Sequence, residues 1–227
     1  MLRQLLLLAV VACTGAVALA APTPLDGPDI APEWLPSLNL CPADVIAPEP
    51  FDPVKQGLES CLDDTEGCNT PDRCLEDPEA CIERCGGGDP SSCFYIARGL
   101  EQEDSMSVFA QRFFLLACKL GHDPGCTNSA AMLLARRGQD RASRLACAQR
   151  TFESICGRGE PWACTMMGRV LSWQMQSDGD RETALGFLRR ACTLGTRRDA
   201  CETAEEIEES IRSRVLDADE GEAGPSR

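Results

Sequence analysis

The chain has 227 residues and carries 36 acidic against 22 basic side chains, a formal net charge of −14 that disfavours a nucleic-acid partner. Its one histidine, His122, leaves no set of imidazoles for a zinc hydrolase, and no Ser-His-Asp triad unless His122 itself serves. Lys55 and Lys119 are the only lysines, and neither follows a serine by three residues, so the serine β-lactamase signature is absent.

Residues 1–20 read as a signal peptide, with Arg3 as the positive start and Leu5 to Ala12 as the apolar segment, too short to span a bilayer. Two processing sites compete. Val10-Val11-Ala12-Cys13 resembles a lipobox, which would make Cys13 the lipidated first residue of a bacterial lipoprotein and anchor the chain to a membrane. Ala18-Leu19-Ala20 resembles an ordinary cleavage site, which would free the protein into the periplasm or medium. Residues 21–53 hold nine prolines and are expected to be a solvated linker, although Trp34 and Cys41 hint that part of it packs on the body. Residues 54–84, acidic and rich in cysteine, read as a stapled N-terminal cap, and residues 217–227 as a disordered acidic tail.

Between them, residues 85–216 repeat. Around Cys118 stand Ala110, Phe114 and Ala117 before it, and Gly121, Gly125 and Cys126 after it. Ala148, Phe152, Cys156, Gly159, Ala163 and Cys164 keep the frame; Ala184, Leu188, Ala191, Cys192, Gly195, Ala200 and Cys201 keep it with one residue inserted. Cys85, Gly88, Ser92 and Cys93 keep only its second half, with Asp77, Cys81 and Arg84 at the earlier positions. The first cysteines lie 33, 38 and 36 residues apart, the period of stacked helical pairs. The apolar and small positions mark one helix face, the glycine suits a left-handed C-cap, and Asp123-Pro124 or Glu160-Pro161 starts the next helix. A bond between a unit's two cysteines would clasp the hairpin at its turn, closing about nine residues and contributing roughly 2 to 3 kcal/mol in the chain-entropy model.

The runs Ala117-Cys118-Lys119-Leu120-Gly121 to Cys126 and Ala191-Cys192-Thr193-Leu194-Gly195 to Cys201 resemble Sel1-like repeats of the cysteine-rich, disulfide-bridged kind in exported bacterial proteins such as the Helicobacter cysteine-rich family. The resemblance spans about residues 85–209. It implies an all-α, right-handed α-solenoid of TPR-like αα-hairpins that binds proteins or peptides as an adaptor. Ala97 and Ala130 stand where that repeat usually has glycine, and Glu205 puts a charge there in the last unit, as in a terminal cap with no following neighbour.

If Cys13 is set aside, fourteen cysteines remain. Eight fall into four clasps, Cys85 with Cys93, Cys118 with Cys126, Cys156 with Cys164 and Cys192 with Cys201, while Cys41, Cys61, Cys68, Cys74, Cys81 and Cys147 stay unassigned. Gly67 before Cys68 allows a compressed clasp from Cys61 to Cys68. The clasp spacings are too long for zinc knuckles and there is no Cys-X-X-Cys pair, so no metal, cofactor or catalytic residue is expected.

Charge is uneven. Residues 105–198 hold 7 acidic and 14 basic side chains, against 19 and 4 in residues 22–104. Arg136, Arg137, Arg141 and Arg144 form the densest basic cluster, read either as a site for an acidic partner or as solvated helix faces balanced by the acidic flanks. Trp162, Met166, Met167, Trp173 and Met175 could line a ligand groove or fill a core. A lone turn histidine is expected to be exposed and inert. The expected function is an exported scaffold or interaction module without catalysis; the alternatives are a cell-wall or β-lactam-directed protein of the cysteine-rich family and a structural envelope lipoprotein.

Overall fold

Each repeat folds as two antiparallel helices joined at a glycine turn. The structure is a computed structural model that describes residues 33–51, 74, 76–104, 107–136 and 140–222, with side chains described as far as 213. The export signal and Cys13, the proposed Cys61 to Cys68 clasp, Arg137 and residues 223–227 lie outside the described residues. The described helices are α1 (Pro78–Gly86), α2 (Pro90–Glu103), α3 (Val108–Lys119), α4 (Asp123–Ala135), α5 (Arg141–Gly157), α6 (Pro161–Ser172), α7 (Asp178–Thr193) and α8 (Arg198–Glu222). No strand occurs among the described residues. Every helix packs on its neighbours in sequence, and the second helices α4, α6 and α8 also pack on one another in turn.

The frame residues are the core. Ala110, Phe114, Ala117, Ala148, Phe152, Ala163, Ala184 and Ala200 are fully buried, and Leu188 takes the aromatic position of the last unit. Small residues at these steps let the helices approach closely. A Cβ on Gly168 would lie 2.6 Å from Leu188 Cγ, because this position of α6 faces the first helix of the next unit. Ala97 and Ala130 are buried at the equivalent step, whereas Glu205 is exposed on α8. The four cysteine pairs of the frame are bonded, Cys85–Cys93, Cys118–Cys126, Cys156–Cys164 and Cys192–Cys201.

Three boundaries differ from those read in the sequence. α1 starts at Pro78 and is the first helix of the first hairpin, so the array begins ahead of Cys85. There Cys81 occupies the aromatic position, fully buried and bonded to Cys74, which explains how the unit does without its apolar residue. At the far end α8 runs on to Glu222, through the start of the acidic segment expected to be disordered, because no glycine or proline interrupts it before Gly221.

The third difference is the largest. Residues 33–51, inside the stretch expected to be a linker, lie across the helices as a strap. Trp34 packs edge-on against Phe113 at 6.0 Å, Leu35 is buried, and Pro42 begins a short 3₁₀ turn and is buried near α3, α4 and α5. Proline density prevents the strap from pairing as a strand, and its carbonyls instead accept hydrogen bonds from side chains: Arg112 donates to Leu35 and Pro36, and Arg158 to Ala47. Cys41–Cys147 joins it to α5 across 106 residues of sequence.

The strap ends against the second hairpin's turn, where the Phe51 N–H donates to the Gly121 carbonyl at 2.9 Å. Gly88, Gly121 and Gly159 share a left-handed φ of 96 to 99°, so alanine is strained by about 1 to 2 kcal/mol at each. Only at Gly121 would the new Cβ also strike the strap, 2.8 Å from Phe51 N, whereas the nearest atom at Gly159 is 3.9 Å away. Gly121→Ala is therefore expected to lower the urea midpoint clearly more than Gly88→Ala or Gly159→Ala; equal losses would mean that the strap end is not seated there.

Candidate partner-binding cleft

The turn of each unit places one residue directly before its second helix: Asp89, His122, Glu160 and Arg197. Three of them cap that helix. Asp89 accepts from Ser91 and Ser92 N–H, His122 Nδ1 from Gly125 N–H at 3.2 Å, and Glu160 from Trp162 and Ala163 N–H. Arg197 cannot accept, and Asp199 takes over by accepting from Ala200 N–H and pairing with Arg197 at 2.8 Å. Stacking brings these ends together, since Thr127 Oγ1 of α4 donates to Glu160 at 2.8 Å and Thr165 Oγ1 of α6 donates to the Ala200 carbonyl at 2.9 Å.

Beside this row lies a cleft of about 410 Å³ built from all four units. Tyr95 and Arg98 come from α2, Asn128 from α4, Trp162 and Met166 from α6, and Arg197 with Asp199 from the start of α8. Its walls are aromatic and its polar groups are oriented: Trp162 Nε1 donates to Asp199 at 3.3 Å, and Arg98 pairs with Glu101. Burial pushes the Glu160 carboxyl above its ordinary range, against the pull of its hydrogen bonds. The Arg197 guanidinium holds Asp199 down at about 2. Aromatic side chains beside oriented polar groups make a surface suited to recognition.

No protein-family model, curated protein or solved structure matches the chain.

The candidates named from the sequence scatter. Trp162 and Met166 line the cleft, but Met167 is core, Met175 packs in the third and fourth units, and Trp173 stands exposed elsewhere. The arginine cluster lies beyond the other end of α4. Arg136 caps α4 and its carbonyl accepts from Arg144, while Arg141 opens α5. Tyr95, Asn128 and Arg197 are not among those candidates, although Tyr95, Asn128 and Met166 all stand two residues after a unit's second cysteine.

His122 is not the exposed turn histidine expected. It is partly buried, stacked on Phe94 at 4.6 Å, and must be neutral to cap α4. Burial lowers its pKa to about 4, with Asp89 pulling the other way. Between pH 6.5 and 4 the unfolded chain then holds more protons than the folded one, so stability from this group is present above 6.5 and lost as pH falls. The full shift corresponds to about 3 kcal/mol, and the ring's remaining contact with water reduces the expectation to about 2. Burial raises Asp123 and Glu160, which oppose this trend, so the comparison must be made between variants. His122→Asn keeps a capping acceptor and cannot charge; its stability relative to wild type should rise by about 2 kcal/mol between pH 7 and 4. A parallel pair of profiles would show that the ring titrates normally.

Proposed function

We propose that this chain is an exported, non-catalytic interaction module: a right-handed array of disulfide-clasped Sel1-like hairpins that holds a protein or peptide partner along its second helices. The observation that carries this reading is the cleft drawn from four successive units, an extended surface that exists only because the units stack. The most deeply buried acid beside it, Glu160, is committed to two backbone N–H groups and Thr127, which suits a structural cap better than proton transfer. Six disulfides among the described residues point to an oxidising compartment, in keeping with residues 1–20 as a signal peptide and with either lipid on Cys13 or release as a free protein. No described helix is long and apolar enough to cross a membrane. Arg136, Arg137, Arg141 and Arg144 remain proposed contacts for an acidic partner.

The test is photo-cross-linking of the full chain in its own envelope. A specific partner should be captured by wild type and by Glu202→Ala on the exposed face of α8, and lost in Tyr95→Ala and Trp162→Ala. Capture that is indifferent to the cleft variants would refute the site. Penicillin hydrolysis, or any other turnover by the pure protein that a single substitution abolishes, would refute the non-catalytic reading.

A further inference from the structure

Two features stand near the C-terminal end of α4. Trp173, directly after α6, leaves 57% of its surface in water, more than any other large apolar side chain among the described residues. The first turn of α5 carries Arg141 and Arg144 and no acid, although the partial positive charge of a helix start disfavours cations. Asp140 before it adopts a left-handed φ of 68° and its side chain caps nothing. Arg144 serves the fold by donating to the Arg136 carbonyl, so the locally unfavourable cation is Arg141, and a residue of that kind points to a role outside the chain's own stability.

The two features share one groove of about 400 Å³. Leu133, Leu134, Leu145 and Trp173 are its large apolar lining, and Arg141 and Arg144 its charged lining. Gln149 donates to Gln174 at 2.6 Å, linking the residue after Trp173 to α5. Arg141 makes no ion pair among the described residues.

Resting on the reading of the chain as a partner-binding module, we propose that this groove is a second docking site, for an acidic segment of a partner protein whose aliphatic or aromatic side chain seats against the leucines and Trp173 while its carboxylates meet Arg141. Charge complementarity favours that occupant: the surrounding residues 105–198 carry twice as many basic as acidic side chains. A lipid surface fits less well, because a concave groove takes a projecting side chain rather than a flat bilayer.

The experiment uses the oxidised full chain and a helical peptide of about 14 residues, four turns, bearing glutamates and one apolar stripe. A lysine-for-glutamate counterpart and phosphatidylglycerol vesicles are titrated in parallel, followed by tryptophan emission and calorimetry. The glutamate peptide should bind, and Arg141→Glu or Trp173→Ala should weaken it about tenfold or more. Raising salt from about 0.05 to about 0.3 M should weaken it too. Trp162→Ala should leave it unchanged, and unaltered thermal unfolding of the variants shows that the groove alone was changed. No binding of the glutamate peptide overturns the proposal. So do equal binding of the lysine peptide, binding of vesicles in its place, binding that survives both substitutions, or dimerisation abolished by Trp173→Ala. Partner capture that depends on Trp162 reports separately on the four-unit cleft, so the two readings fail independently.

Discussion

Replacing Cys41 and Cys147 together by serine should cost about 4 to 5 kcal/mol, more than the loss of any one clasp. The bond joins cysteines 106 positions apart, and closing a loop that long restricts the unfolded chain far more than joining clasp cysteines 8 or 9 positions apart, worth about 2.6 kcal/mol each. The smaller loops nested inside it shorten the effective length only slightly, and the dependence is logarithmic. Urea unfolding measures the loss, and limited proteolysis locates it: the strap should be cut first while the helical signal is retained. A deficit no greater than that of a Cys118 and Cys126 double variant would mean that the hydrogen bonds from Arg112 and Arg158 hold the strap without the staple.

Phe152→Ala should cost about 3 to 5 kcal/mol, because its ring is fully buried among Ala130, Ala148, Met167 and Val170 and the close-packed helices have little room to collapse into the cavity. Phe152→Leu should cost less than about 1.5 kcal/mol, since Leu188 already fills the same position of the last unit. Denaturant titration of the pair tests the equivalence of the frame positions directly. A leucine variant as damaged as the alanine one would mean that each unit is packed individually rather than to a shared pattern.

The parts of this fold that are legible in the sequence are local. The alanine and aromatic steps before Cys118, the glycine after it and the proline that restarts the chain all act within about one turn of helix, so periodicity and turn chemistry suffice to read a hairpin. The long-range parts are not legible in this way. Nothing near Cys41 names Cys147, and a stretch with nine prolines looks solvated until arginines from α3 and from the turn after α5 are seen to take up its carbonyls. His122 was readable in principle. It stands four residues after Cys118, as Asp89 and Glu160 stand four after Cys85 and Cys156, and aspartate is a preferred cap type. The cleft was half readable: Trp162 and Met166 attract notice alone, but their companions Tyr95 and Asn128 matter only once stacking aligns the second helices.

The long staple also has a consequence for how the molecule matures. On the proposed route out of the cell, the N terminus is delivered first, and Cys41 reaches the oxidant well before Cys147. A catalyst that joins each thiol to the next one to arrive would give Cys41 to Cys61, and the displaced register would also join Cys93 to Cys118 and Cys126 to Cys147, so that only the clasps Cys156–Cys164 and Cys192–Cys201 form correctly. Maturation then requires thiol–disulfide shuffling. Cells without an isomerase should accumulate a slower-migrating species on non-reducing gels, with the last two clasps closed and the N-terminal half mispaired.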